Sequence, residues 1–200
     1  IFQLINTMHH VRKQIRLRNY DYTSEGKYFI TICVKNRECF LGEITDNAII
    51  LNEIGNIANE YLNNIPDHFS HVKMGEFIVM PNHVHCILIL NEPNDDDDDV
   101  GTRHGVSLHG VSLHDETQRQ NKFGQPIPGS VSVIINQFKS SVKRWCNKNA
   151  HEYFQWQSRF HDHIIRNDKE YNKIQNYIIK NPINWEKDKF YNHASNVIKH

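Results

Sequence analysis

The chain has 200 residues, 38% hydrophobic and 10% aromatic, with 23 Lys/Arg balancing 23 Asp/Glu. That length suits one domain with its own core, and no apolar run is long enough for a transmembrane helix, so no membrane partner is expected. Four scattered cysteines without a Cys-x-x-Cys pair argue against a disulfide framework or structural zinc and for a reducing compartment, the cytoplasm. Ile1–Ile5 lacks the basic flank of a secretory signal.

The zero net charge hides an asymmetry. Residues 1–37 carry seven Lys/Arg and two Asp/Glu, residues 38–136 four and fifteen, and residues 137–200 twelve and six. Two basic ends that meet in the fold would form a surface for a polyanion; otherwise they are solvated faces.

Residues 11–22, VRKQIRLRNYDY, interleave Arg12, Arg16 and Arg18 with Tyr20 and Tyr22, a mixture suited to phosphates and stacked bases. Tyr28–Lys35 alternates and is β-branched, which predicts the first core strand. Two short strand-like pieces around Thr45-Asp46-Asn47 predict a hairpin. Over 52–64, apolar residues recur at three and four, an amphipathic helix stopped before Pro66. Val72–Met80 and His83–Leu90 read as paired antiparallel strands around a Pro81-Asn82 break.

Residues 91–129 contain five consecutive Asp, a tandem HGVSL duplication and two prolines. They predict a flexible insertion, and neither the Asp run nor its histidines form a designed ligand set. Ser130 then caps a helix with an apolar stripe, from which Lys139, Lys143 and Arg144 are expected to project toward phosphates. Tyr153–Ile165 reads as a fourth core strand, or an extended lead into one, bringing up Arg159 and Arg166. The last helix runs from about Asp168 to Asn181, with Asn167 as N-cap and Pro182 as stop. This order predicts an α+β, ferredoxin-like split βαβ antiparallel sheet with an added hairpin and a C-terminal helix.

The chemistry gathers around FIVMPNHVHCILIL. On a strand His83 and His85 share one face, a pairing suited to a metal ion, although a sheet rim also tolerates histidines for simple hydrogen bonding. Two other histidine hydrolase patterns would require His or Asp at position 87, where the chain has Ile87. Tyr177 and Asn181 lie four apart on the last helix and share a face. If that face covers the histidines, Asn181 offers a third, oxygen ligand and Tyr177 a phenolic nucleophile. Tyr171 and Gln175 have the same spacing and form the alternative pair, since six residues of helix is about 240° of rotation.

These pieces resemble the Y1 HUH transposases of the IS200/IS605 type, and most of all their REP-associated tyrosine transposase branch. The resemblance rests on IRLRNYDY, YFITICVKNRECFLGEI, FIVMPNHVHCIL and FQWQSRFHDHIIRNDKEYNKIQNYIIKNPINW. It implies one Y1 transposase domain over 1–200, with 91–129 as an insertion. It also implies single-stranded, hairpin-containing DNA as partner, Mg²⁺ or Mn²⁺ on His83, His85 and Asn181, and a 5′-phosphotyrosine formed on Tyr177. Tyr171 and Gln175 match the insertion-sequence form, whereas Asn181-Pro182 matches the REP-associated form and favours Tyr177. Monomer and homodimer both occur among such proteins. Two rival functions stay open: a domesticated hairpin-binding protein without turnover, and a metal-dependent nuclease using water.

Overall fold

The computed structural model describes residues 20–91 and 127–191. Arg12, Arg16 and Arg18, and all of the expected insertion except its two ends, lie outside the described residues. The elements run β1 (Gly26–Cys33), β2 (Gly42–Thr45), β3 (Ala48–Leu51), α1 (Glu53–Asn63), α2 (Ile65–His68), β4 (Val72–Met80), β5 (His83–Leu90), α3 (Val131–Lys148), β6 (His161–Ile165) and α4 (Asp168–Lys180), then a 3₁₀ turn at Pro182–Lys187.

Four strands pair in the order β4-β5-β1-β6, every neighbour antiparallel, and β2-β3 forms a separate hairpin. This is the expected ferredoxin-like arrangement: β1 and β4, joined through α1, are kept apart by β5. The Asp46-Asn47 turn has φ of 52° and 61° at its two residues, the left-handed pair that a two-residue hairpin needs and that Asp and Asn tolerate. Side-chain caps start three helices: the expected Ser130 accepts from the Val133 N–H and Asn167 from that of Glu170, and Asn52 accepts from that of Gly55.

Both faces of the sheet are covered. On one, Tyr28, Ile30, Ile32, Val84 and Leu88 pack against α1 and α3 through residues such as Leu62, Ile134 and Phe138, forming the main core. On the other, α4 lies across a smaller cluster of Ile87, Ile165 and Ile178 with Phe29, Ile78 and Tyr171 at its margin. Gly75, at the irregularity where β4 shifts register, lets α4 come close. A Cβ there would stand 3.0 Å from Ile87 and 3.1 Å from the Tyr171 hydroxyl.

The fourth strand is shorter than the 153–165 segment suggested. Residues 155–157 only brush the end of β1, where Lys35 N–H donates to the Gln155 carbonyl and Gln157 N–H to that of Cys33. Where the segment leaves β1, the Gln157 and Ser158 carbonyls accept from the Lys139 ammonium, at 2.7 and 3.1 Å. Lys139 is therefore not free for phosphates: it is only 9% exposed, and burial lowers its pKa. Among the described residues, all four cysteines are free and no helix is long and apolar enough to cross a membrane.

Candidate active site

The site forms where β5 begins. Met80 pairs with His83 across the Pro81-Asn82 turn, and the register places Cys33 opposite His83 and Thr31 opposite His85. Paired residues point to one face, so both imidazoles lie beneath α4 and the segment after it. Asn82, fully buried, holds the turn. Its Nδ2 donates to the carbonyls of Arg37 and Phe190, and its own carbonyl accepts from the Val34 N–H.

Asn82 also sets the state of His83. The Asn82 Oδ1 lies 2.8 Å from His83 Nδ1. An amide oxygen can only accept, so Nδ1 carries the proton and Nε2 presents a lone pair. That Nε2 is buried with no partner. His85 Nδ1 sits 2.9 Å from the Thr31 hydroxyl. Burial pushes the His83 pKa down to about 3, helped by the Lys189 and Arg37 charges, and lowers that of His85 well below the usual imidazole range. Both rings are thus neutral at pH 7, the form that ligates metals. Phe190 packs 4.6 Å from the His83 ring and Trp185 6.0 Å from it, which fixes its orientation.

Helix α4 brings Tyr177 over His85. Its hydroxyl is 3.3 Å from His85 Nε2 and donates to Asp188 Oδ2 at 3.0 Å, while the residue stays 39% exposed. Burial raises the phenol pKa, and the Asp188 charge raises it further. Asp188 also accepts from Asn181 Nδ2 at 3.1 Å and, through Oδ1, from the Phe190 N–H. His83, His85 and Asp188 bring one ligand atom each within 4.8 Å of one another. Asn181, 2% exposed, has its Oδ1 buried without a partner. The fold therefore collects His83, His85, Tyr177 and Asn181, and adds Asp188, which the sequence reading missed.

The other candidates scatter. Tyr171 packs in the apolar cluster under α4, with the Lys27 ammonium 4.9 Å from its ring centre. Gln175 lies half-buried on the same helix and is not part of the His83–His85–Asp188 cluster. Lys143 and Arg144 lie on α3, across the sheet from the histidines, and Lys143 donates to the Glu152 carbonyl. Arg159 and Arg166 are exposed before and after β6. Asn82 and Asp188 left few local signals: one looked like a strand break and the other followed the helix stop.

No family model matches the chain. An uncharacterized protein of Haemophilus influenzae is 40% identical over 91% of this chain and 94% of its own length. A second protein of that organism, named "Putative REP-associated tyrosine transposase", is 26% identical over 84% of this chain and 77% of its own. Among solved structures, a REP-associated tyrosine transposase bound to a REP hairpin superposes with a TM-score of 0.53 and 23% identity, over 87% of this chain and 76% of that one.

Proposed function

We propose that this chain, which belongs to the family of the 40%-identical Haemophilus protein and resembles the REP-associated tyrosine transposases, is a DNA transposase using a tyrosine nucleophile. One observation carries the reading: an accessible phenol at the end of a helix, its hydroxyl set between a neutral imidazole and a carboxylate. Its substrate is single-stranded DNA next to a hairpin, by analogy with the hairpin complex of the structural relative. The whole chain acts as one Y1-type domain, with 91–129 as an insertion.

The residues supply the steps of a transesterification. Tyr177 Oη attacks phosphorus, the bond from phosphorus to the 3′ oxygen breaks, and a 5′-phosphotyrosine and a 3′-hydroxyl result. The phenolic proton passes to Asp188 Oδ2, and the same carboxyl returns a proton to the departing 3′ oxygen. One ester replaces another, so attack by a 3′-hydroxyl on the phosphotyrosine rejoins strands without an outside energy source. Asn181 and the Phe190 N–H keep the Asp188 carboxylate aimed at the phenol.

The donor set also suits a divalent cation. Two buried acceptors without partners, His83 Nε2 and Asn181 Oδ1, with the neutral His85 imidazole, are what Mg²⁺ or Mn²⁺ would satisfy, which leaves the Asp188 carboxylate of the same cluster to the phenol. When bound, such an ion supplies positive charge that polarises the scissile phosphate. Thr31 and Asn82, from the outer side, hold the two imidazoles in place.

The test is incubation with labelled, hairpin-containing single-stranded DNA and Mn²⁺, followed by a denaturing gel and peptide mapping. A covalent adduct on Tyr177 is expected. Cleavage without an adduct would make water the nucleophile, and binding without cleavage would leave a hairpin-binding protein.

A further inference from the structure

Helix α4 carries a feature that the nucleophile does not explain. Lys173, Tyr177, Lys180, Asn184 and Lys187 are spaced by four, three, four and three, so they form a single stripe along α4 and into the 3₁₀ turn. A cavity of about 260 Å³ opens on this stripe, lined by the three lysines, Tyr177 and Asp188. The nucleophile stands in the middle of the row.

The face is predominantly basic. From Tyr171 to Trp185 the sequence holds no carboxylate; of the two that flank Lys187, Glu186 is exposed and Asp188 is bonded to Tyr177 and Asn181. The acids at the start of the helix are engaged elsewhere: Asp168 with Lys27, and Glu170 with His163 and the Arg166 N–H. Among the described residues, none of the three lysines has an ion-pair partner, and all three are exposed. On α3 the contrast is direct, because Lys139 and Lys143 spend their ammonium groups on backbone carbonyls. Lys173 and Lys180 lie about 10 Å apart along the helix axis, one on each side of Tyr177.

We propose that Lys173, Lys180 and Lys187 form a phosphate track that lays the single strand along α4 and presents one phosphodiester to Tyr177. This rests on the tyrosine reading above and adds the path of the strand to it. Lysine acts as a point charge on phosphates with no sequence preference, so the track sets register and leaves base recognition to other groups.

The experiment uses the full chain and a labelled hairpin oligonucleotide with a single-stranded flank, measuring affinity against salt concentration. A single-stranded phosphate contact contributes about −0.7 to the slope of log affinity on log salt. The K173Q/K180Q/K187Q variant should therefore lose about 2 from that slope, and the corresponding triple Arg variant should keep it. A K143Q/R144Q/K148Q variant on α3 should leave the slope unchanged. An unchanged slope in the α4 variant, or a loss that appears in the α3 variant instead, overturns the track. Adduct formation by the unmodified protein is scored separately. An adduct with an unaffected slope removes only the track, and a lowered slope with no adduct removes the tyrosine chemistry while the track stands.

Discussion

On the face under α1 and α3, the strands present Tyr28, Ile30, Ile32, Val84, Cys86 and Leu88, all fully buried among apolar neighbours. One residue along, the same strands present Phe29, Thr31, His83 and His85 to α4 and the segment after it. There the burial is just as deep at the histidines, but two acceptors, His83 Nε2 and Asn181 Oδ1, are left without partners, where the main core leaves the Trp156 Nε1 donor at its margin. A buried polar atom without a partner costs about 1–3 kcal/mol, so the second face holds a site at the expense of stability and the first supplies the surplus.

The sharpest way to test this division is at its extremes. Tyr177→Phe should abolish the covalent adduct while lowering stability by only about 1.5 kcal/mol, the low end for a hydrogen bond to a charged group, since the side chain is partly exposed. Leu88→Ala, on the opposite face, should lower stability by about 3 kcal/mol, yet leave adduct formation per folded molecule near that of the unmodified protein. If Leu88→Ala instead removed the adduct as completely as Tyr177→Phe, the two faces would not be separable.

Smaller effects sharpen the same contrast. Saturating Mn²⁺, at about 100 times its dissociation constant, should raise stability by about 2.7 kcal/mol. Chelation should reverse that gain and His83→Ala should remove it, as read from melting with and without the ion. Lys139→Met should lose roughly 1.5 kcal/mol, the scale of a charged hydrogen bond, and loosen residues 155–158, which hydrogen exchange would detect. Asn167→Ala should cost about 1 kcal/mol by removing a helix cap, and should not change where the adduct forms.

What was legible in the sequence was local. Alternation in Tyr28–Lys35 and the three- and four-residue rhythm of the helices report which face is buried, and caps such as Asn167 and Ser130 act within four residues of themselves. The histidine pair was readable for the same reason, because two residues of strand fix a shared face. Asn82 was not, since Asn82 Nδ2 reaches the Phe190 carbonyl across 108 positions; nor was Asp188, which bonds near neighbours but lies past the helix stop, on a turn whose place no periodicity reports. Lys139 misled because it borders the apolar stripe. Only the carbonyls of Gln157 and Ser158, brought in by the turn after α3, decide that it lies inside.

The clasp between Asn82 and Phe190 also bears on the order in which a growing chain becomes competent. The histidine strand leaves the ribosome early, with its main-core partners β1 and β4 already made, whereas Tyr177, Asp188 and Phe190 are among the last described residues to appear. A product released before Asp188 would carry the imidazoles and the phenol without the carboxylate that engages it. On the tyrosine reading proposed above, the site is complete only once the distal segment has been made.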